Sequence, residues 1–288
     1  MQSLNLDSNR RILLFVLALS TIASAVPVGT TEAQESCLVH PPHMIHWWPG
    51  DGDTTDLVGN ADGVTINGAG YGVGLVDDSF QTDGINDHID VGSPTDMNFG
   101  TDIDYSVDAW VNPEDFIPVD GSGTSIIMEK HLFGLGNAVT LLVTLNPTGN
   151  VSVSARDTQD DLIGIQSTQP IPVDAWTHVA MTVHRDGVMS LYLDGVLDGT
   201  VAMDTIDDVT NNAELTIGGP RAANASGFHN AMNGLIDEVG IYNRELCPHE
   251  VKAIFDASAD GMCKMPVAAI YADNFECGDS RVWTTTVP

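Results

Sequence analysis

Carboxylates beside glycine-rich turns are the residues of this sequence with the clearest capacity for chemistry. Asp and Asn side chains at such turns, together with free backbone carbonyls, form the oxygen-rich shell that a hard cation requires. A structural Ca²⁺ ion is therefore one prediction, and its candidate ligands are Asp51, Asp56, Asp83 and Asp237. The competing interpretation is that these are ordinary Asx-turn residues, which accept hydrogen bonds from their own backbone. The sequence leaves both interpretations open.

Paired carboxylates for hydrolysis are the second chemistry to consider. Glycoside hydrolysis needs two carboxyl groups that face the substrate across its scissile bond. The segment 236–239 places Asp237 beside Glu238, and adjacent side chains of a regular strand point to opposite faces of the sheet. The sequence also lacks a Gly-x-Ser-x-Gly nucleophile elbow. It therefore favours a protein without catalytic activity.

Histidines and aromatic residues offer two further kinds of site. His40, His43 and His46 recur every third residue, but two intervening prolines preclude a regular helix that would align them. We expect this segment to be an exposed, extended lead-in. Trp48 and Tyr71, near predicted loops, are candidates for stacking on a sugar ring, although packing in a core is the favoured role for each.

The N terminus has the layout of a secretory signal peptide. Arg10 and Arg11 precede an apolar stretch at 12–19, and a small-residue pattern ends at Ala25. The apolar stretch is too short to cross a hydrocarbon core of about 30 Å. We predict a signal peptide at 1–25, with cleavage after Ala33 as the alternative. The mature chain is expected to be secreted, with a periplasmic or cell-surface location also open.

The charge of the chain is strongly negative, at −30 from 40 acidic and 10 basic side chains. Such a surface repels phosphate backbones and anionic membranes. We therefore expect no nucleic-acid partner and no membrane insertion once the signal is removed. Solubility is the simpler explanation of the charge, and cation binding by some carboxylates is the other.

Four cysteines lie near the two ends of the mature chain: Cys37, Cys247, Cys263 and Cys277. An even number in an exported chain favours disulfides, and four cysteines allow three connectivities. No Cys-x-x-Cys pattern supports a zinc ribbon or a redox site. The placement predicts covalent closure of the ends of the domain.

Short runs of β-branched and aromatic residues between 47 and 242, separated by Gly, Asn, Asp and Pro, predict a β-sandwich. Alternation of apolar and polar residues is clearest at 105–111, 139–145 and 176–183. Asp194-Gly195, between two apolar runs, predicts a two-residue hairpin. One helix is predicted from Pro248 to about residue 258, with Glu250 as the third residue of a capping box.

Six separated segments together resemble the laminin-G-like jelly-roll family, which has the concanavalin A-like lectin and glucanase fold. They are WWPGDG (47–52) with DLVGN (56–60), SFQTDG (79–84) with HIDV (88–91), YSVDAWV (105–111), WTHVA (176–180), LYLDG (191–195) and GLIDEVGIYNREL (234–246). The resemblance implies an all-β, two-sheet antiparallel jelly-roll sandwich with one short C-terminal helix and roughly six or seven strands in each sheet.

The resemblance also has implications for the candidate sites. It implies that the loop after the double Trp, the turn at Asp83 and the strand at Asp237 come together. It makes His178 a common residue of the fold, so a core or edge role is favoured over metal ligation for His178 and for His184 on the same strand face. Glycosidases of this broad fold carry acidic residues at i, i+2 and i+5 of one strand, a pattern missing here.

The disulfide pairing is likewise implied by the resemblance. Relatives commonly have one cysteine before the double Trp and another after the final helix, at positions that match Cys37 and Cys263. This implies a Cys37–Cys263 disulfide and leaves Cys247 to pair with Cys277. Relatives usually have Ser where this chain has Cys247, at the predicted N-cap of the helix.

The predicted organisation is a signal peptide at 1–25, a spacer at 26–43, a jelly-roll domain at 44–263 with the core of the resemblance at 105–247, and a C-terminal tail at 264–288. The tail resembles segments at the ends of exported bacterial proteins. Because many relatives bind carbohydrate or protein, the predicted function is a secreted, non-catalytic binding module for a glycan or an extracellular protein, with structural Ca²⁺ as its candidate cofactor. A structural or surface-display module and a carbohydrate-active enzyme are the alternatives.

Overall fold

The computed structural model describes residues 37–119, 121, 123–131, 139–220 and 230–264. The predicted signal peptide and the tail beyond residue 264 lie outside these residues. The elements are β1 (Met44–Trp48), β2 (Val64–Ile66), β3 (Gly70–Val73), β4 (Asp78–Asp83), β5 (His88–Gly92), β6 (Tyr105–Pro113), β7 (Ser125–His131), β8 (Val139–Leu145), β9 (Val151–Arg156), β10 (Leu162–Gln166), β11 (Thr177–Val183), β12 (Val188–Leu193), β13 (Val196–Ala202), β14 (Leu215–Ile217), β15 (Asn233–Tyr242) and the helix α1 (Pro248–Ala257). None of the described helices is long and apolar enough to span a bilayer.

The strands form two antiparallel sheets, which confirms the predicted fold class. One sheet has eight strands in the order β13-β12-β11-β6-β15-β4-β3, with β1 also paired to β15. The other has seven strands in the order β10-β9-β8-β7-β14-β5-β2. Along one edge of strand β15, the first half of the strand pairs with β4 and the second half pairs with β1. The junction between these two partners positions the candidate site.

The core lies between the two sheets and follows the alternation predicted from the sequence. In β8 and β9, every second residue faces the core, including Leu141, Val143 and Val153. A second, smaller apolar cluster lies on the other face of the eight-stranded sheet, where Val251 and Ile254 of α1 pack with Trp47 and other apolar side chains. The helix therefore covers the sheet face that the main core does not use.

The predicted hairpin and helix are both present. Asp194 and Gly195 have φ values of 50° and 73°, which is the left-handed pair that a two-residue type I′ turn requires. Helix α1 begins at Pro248, and the Glu250 carboxylate accepts the backbone N–H of Cys247 at 2.9 Å. This is the N3-to-N-cap half of the predicted capping box.

The Cys37–Cys263 disulfide is confirmed, with 5.0 Å between the two Cα atoms. Leu38 and Met262 form a parallel bridge beside it, so the two ends of the domain are joined by backbone as well as by sulfur. Cys247 is also disulfide-bonded. Its predicted partner, Cys277, lies outside the described residues, and that pairing stays a prediction.

Candidate functional site

A β-bulge in strand β15 places two carboxylates on one side of the sheet. The core-facing residues of this strand are Ile236, Val239 and Ile241, so one extra residue separates the first two. Glu238 has a φ of 54°, and the pairing of β15 with β6 shifts register between Asp237 and Gly240. The prediction that Asp237 and Glu238 point to opposite faces is therefore wrong, because a bulge breaks the alternation.

Both carboxylates are buried, and each has one oxygen with a partner and one without. Asp237 Oδ2 accepts the backbone N–H groups of Leu75 at 2.8 Å and Val76 at 3.0 Å. Glu238 Oε2 accepts the indole N–H of Trp47 at 2.9 Å. Within the described part of the chain, Asp237 Oδ1 and Glu238 Oε1 have no hydrogen-bond partner. Two unpaired buried carboxylate oxygens are costly unless a proton or a cation accompanies them.

The ionisation of the pair reflects this environment. Burial raises the pKa of Asp237, and the N–H groups of Val76 and Leu75 only partly offset that effect. Burial also raises the pKa of Glu238, and the adjacent Asp237 carboxylate raises it further. Desolvation and like-charge repulsion act in the same direction here. A positive charge close to Asp237 and Glu238 would therefore stabilise their ionised forms.

Two loop carboxylates and one ammonium complete this group. Lys264 Nζ lies 2.5 Å from Asp51 Oδ2 and 2.7 Å from Asp77 Oδ2. Burial opposes the charge of Lys264, but these two hydrogen bonds outweigh it and raise its pKa. Asp51 also contributes to the raised pKa values of Asp237 and Glu238. We call Asp51, Asp77, Asp237 and Glu238 the β15 carboxylate cluster.

Glycines permit the close approach of the loops to this cluster. A Cβ atom on Gly74 would lie 2.5 Å from the backbone oxygen of Asp78 and 2.7 Å from Asp237 Oδ2. Gly50 has a φ of 81°, and a Cβ there would lie 2.9 Å from the backbone nitrogen of Phe80. Both positions therefore require glycine, and Gly50 sets the path of the loop that carries Asp51.

The residues of the β15 carboxylate cluster have oxygen donors of the kind that a hard cation binds, but among the described residues no three of their ligand atoms lie within 4.8 Å of one another. They supply several carboxylate oxygens, two of which are buried without a partner, and an ammonium group already bridges two of the four residues. Oxygen ligands of this kind suit Ca²⁺. Asp51 is close enough to Asp237 to raise its pKa, and the cluster also contains Asp77 and Glu238, which the sequence reasoning missed. The sequence signal for Glu238 is the spacing of the apolar residues in β15, which is three from Ile236 to Val239 and two from Val239 to Ile241.

Asp56, a predicted ligand, has a separate role. Its oxygens accept the backbone N–H groups of Trp47, Val58, Gly59 and Ala61, and Oδ2 lies 2.6 Å from His46 Nδ1. Burial opposes ionisation, but the His46 hydrogen bond and the backbone N–H groups outweigh it. They lower the pKa of Asp56 from 3.8 to about 2. This carboxylate organises the loop after β1.

Asp83 lies at the far end of β4 from the cluster. The backbone N–H of Asp78 donates to Asp51 at 3.3 Å, whereas Asp83 is five residues further along the strand, or about 17 Å at 3.4 Å per residue. Asp83 Oδ1 accepts the N–H of Ile85 at 2.9 Å. This is an Asx turn, so the convergence of Asp83 with Asp237 is not seen.

The histidines and Trp48 also have defined places. His46 is buried in β1 and stacks on Trp48 at 5.2 Å between ring centroids. The expectation that His46 belongs to an exposed lead-in is therefore wrong. Trp48 itself is buried and is therefore excluded as a sugar-stacking residue, whereas Tyr71 is 36% exposed. His178 is buried with Nε2 3.1 Å from Asp108 Oδ2, in the core role that was expected.

A second candidate surface is the face of the seven-stranded sheet that points away from the core. Core-facing residues flank Leu142, Ser154 and Thr216 in their strands, so these three side chains lie on the other face. Glu129 is the direct cross-strand neighbour of Leu142 and of Thr216 and shares that face. We call Ser154, Leu142, Glu129 and Thr216 the sheet-face row.

The sheet-face row contains unpaired polar groups. Glu129 and Thr216 are only 3% and 1% exposed. Among the described residues, neither Glu129 Oε2 nor Thr216 Oγ1 has a hydrogen-bond partner. Glu129 Oε2 lies 3.8 Å from His131 Nδ1. Unpaired buried groups of this kind are few in native proteins and call for an explanation such as a ligand.

Solved structures of several proteins share this fold. Domain 4 of AbnA, a GH43 extracellular arabinanase from Geobacillus stearothermophilus solved in complex with arabinotriose, has a TM-score of 0.56 and 21% identity, with 73% of this chain and 97% of that chain covered. The binding domain of Paraclostridial Mosquitocidal Protein 1 has a TM-score of 0.59 and 18% identity, with 74% and 52% covered. A Trypanosoma rangeli sialidase has a TM-score of 0.54 and 17% identity, with 78% and 35% covered. At these identities the likeness shows the fold.

Sequence comparison gives the family. No curated protein sequence matches the chain. A family model described as the concanavalin A-like lectin/glucanases superfamily matches residues 83–252, which is more than half of the chain, and the chain therefore belongs to that superfamily.

Proposed function

We propose that this chain is a secreted, non-catalytic module that binds a neutral glycan on the sheet-face row and is stabilised by Ca²⁺ at the β15 carboxylate cluster. The observation that carries the glycan proposal is the buried Glu129 carboxylate oxygen without a hydrogen bond. This oxygen lies 3.8 Å from His131 Nδ1, which is beyond hydrogen-bond distance, and we assign its hydrogen bond to a ligand. The secretion proposal depends on the signal-peptide pattern at 1–25.

The chemistry of the sheet-face row suits a sugar. A carboxylate accepts hydrogen bonds from sugar hydroxyls, and the Thr216 hydroxyl both donates and accepts. Leu142, on the other side of Glu129 from Thr216, offers an apolar surface. The net charge of −30 disfavours sulfated or sialylated glycans, because like charges repel. The arabinanase domain solved with arabinotriose has the same fold, which supports a neutral glycan.

The non-catalytic assignment depends on the environment of a second carboxylate, Asp90, on the same face of the sheet. Asp90 is the cross-strand neighbour of Thr216 and so lies in line with Glu129, two strands away. Asp90 Oδ1 accepts the N–H of Gly92 at 2.8 Å, which holds this carboxylate in its own Asx turn. Glu129 is therefore proposed to bind a sugar without a paired acid or base.

Replacing Glu129 by Gln is expected to weaken glycan binding by about tenfold, the loss typical of one hydrogen bond to a charged group. The experiment is a glycan array, followed by calorimetric titration with the best neutral oligosaccharide. Glu114→Gln, which makes the same change at an exposed position, serves as the matched control. Unchanged affinity in Glu129→Gln would place the binding site elsewhere, and release of reducing sugar would refute the non-catalytic assignment.

Ca²⁺ is expected to raise the midpoint of thermal unfolding. A ligand that binds only the folded state at one hundred times its Kd contributes about 2.7 kcal/mol, and here it would also neutralise buried carboxylates. Differential scanning calorimetry in Ca²⁺ and in chelator measures the shift. Asp237→Asn should abolish the shift, whereas Asp83→Asn, outside the β15 carboxylate cluster, should keep it. Equal midpoints in Ca²⁺ and chelator for the unmodified chain would eliminate the ion.

A further inference from the structure

We propose that Asp104, His184 and Glu245 form a binding site for a divalent transition metal, with Zn²⁺ as its representative. The three residues lie apart from both surfaces described above. One ligand atom from each lies within 4.8 Å of the other two. The site combines an imidazole with two carboxylates, a donor set that suits Zn²⁺ and differs from the all-oxygen shell of Ca²⁺.

Three adjacent strands bring these residues together. Asp104 immediately precedes β6, His184 immediately follows β11, and Glu245 lies three residues after β15. Strand β6 pairs with β11 and with β15 on its two sides, so the start of β6 meets the ends of its two antiparallel neighbours. Ligands fixed to the ends of paired strands are held by the sheet itself, which favours a preorganised site.

Two of the three donor separations are close to those of a coordinated metal, and the third is within 4.8 Å. His184 Nδ1 lies 3.0 Å from Asp104 Oδ2 and 3.7 Å from Glu245 Oε2. In a tetrahedral site with ligand bonds of about 2.1 Å, neighbouring donor atoms lie about 3.4 Å apart. The observed separations bracket that value. Asp104 Oδ1 accepts the N–H of Arg185 at 2.7 Å, which fixes the carboxylate and leaves Oδ2 directed at His184.

Among the described residues, neither adjacent arginine forms a salt bridge with the carboxylate of Asp104 or of Glu245. The Arg185 guanidinium donates to the backbone oxygens of Thr101 and Asp207. The Arg244 guanidinium pairs with both oxygens of Glu250 at 2.7 Å. Asp186 adds further negative charge beside His184. A cation, either a proton on His184 or a metal ion, therefore stabilises the group.

The site is open on one side. The side chains of Asp104, His184 and Glu245 are 32%, 49% and 24% exposed. Three protein ligands with solvent access leave a fourth coordination position for water or for a donor atom of another molecule, as in open zinc sites. A metal here would therefore be exchangeable and removable by chelators.

Isothermal titration with ZnCl₂ tests the proposal on the oxidised mature chain in Ca²⁺-containing buffer at neutral pH. We expect one Zn²⁺ per chain, and at least about a tenfold loss of affinity in His184→Asn. Glu245→Gln should show a similar loss. His43→Asn is the matched control, because His43 has a φ of 64°, which Asn tolerates.

The outcomes separate this site from other histidines and from the β15 carboxylate cluster. Equal Zn²⁺ affinity in His184→Asn and the unmodified chain would overturn the proposal, as would a loss confined to His43→Asn. Absence of stoichiometric binding would overturn it too. In Asp237→Asn, Zn²⁺ binding should be retained, so the result does not depend on the proposed Ca²⁺ or glycan sites.

Discussion

Asp56→Ala is expected to lower the free energy of unfolding by about 3–5 kcal/mol, the usual cost of removing one partner of a buried charge pair. The substitution leaves the imidazole of His46 and four backbone N–H groups without their acceptor. Urea unfolding followed by fluorescence measures the loss. Asp96→Ala is the matched control, because Asp96 contacts the other nitrogen of His46 but is 56% exposed. Its expected loss is below about 1 kcal/mol.

The pH dependence gives this prediction a second test. The pKa of Asp56 falls to about 2 on folding, so its contribution is present above its unfolded value of 3.8 and is lost as the pH falls through about 2. Burial lowers the pKa of His46, but Asp56 outweighs this effect and raises it above 6.5. That contribution is present below pH 6.5 and is lost as the pH rises through the raised value.

The two contributions overlap in a definite window. The difference in stability between the unmodified chain and Asp56→Ala should be largest between about pH 4 and 6.5 and should shrink toward pH 2. A difference that stays constant across this range would contradict the ion pair. A loss as small as that of Asp96→Ala would show that the loop after β1 does not depend on this carboxylate.

Loss of the Cys37–Cys263 disulfide is expected to cost about 3–5 kcal/mol. The two cysteines are separated by 226 residues, and a long loop gains the most from closure in the chain-entropy model. The double substitution Cys37→Ser and Cys263→Ser, compared with the unmodified chain in oxidising buffer, isolates this bond and leaves Cys247 unchanged. Chemical unfolding measures the difference.

The backbone contacts beside this disulfide define the contradicting result. Leu38 N–H donates to the Gly261 oxygen at 2.8 Å, and Cys263 N–H donates to the Leu38 oxygen at 2.8 Å. If these hydrogen bonds alone are enough to close the domain, the free energy of unfolding of the double variant will be lower than that of the unmodified chain by less than about 1 kcal/mol. Addition of reductant to the double variant is a useful control, because any further loss of stability then reports on the disulfide of Cys247.

The sheets were predictable from local pattern, because alternation depends only on which side of a strand is buried. The segments 105–111 and 139–145 fall in β6 and β8, and the Asp-Gly turn has the predicted conformation. The helix starts at Pro248 as expected. The resemblance added the correct pairing of Cys37 with Cys263, which residue spacing alone left open.

The candidate sites were only partly predictable, because they depend on a bulge and on contacts between distant segments. Asp237 and Asp51 were identified as candidates, but regular alternation excluded Glu238 from the same side. Asp56 is a candidate metal ligand in the sequence, with an Asx turn as the alternative, and in the structure four backbone N–H groups and His46 occupy its oxygens. The N–H groups of Val58 and Gly59 follow the local Asx pattern, whereas the contacts with His46 and Trp47, about ten residues earlier in the chain, depend on the tertiary fold.

Glu129 was missed for a related reason. In β7 the core uses both Ile127 and Met128, and register shifts interrupt the pairing with β8, so the period of two fails just before Glu129. The next residue, Lys130, is also buried, with Nζ bonded to the Asn211 backbone oxygen at 2.7 Å. The available sequence signal of two buried charges was that Glu129 and Lys130 directly follow the apolar residues of β7.

The most direct test of glycan binding is an NMR titration of the ¹⁵N-labelled mature chain with the neutral oligosaccharide selected by the array. The proposed function predicts that the amide signals of Ser154, Leu142, Glu129 and Thr216 shift together and saturate, while those of β11 and β12 on the other sheet remain in place. Saturable shifts confined to β11, β12 or the β15 carboxylate cluster would contradict a glycan site on the sheet-face row.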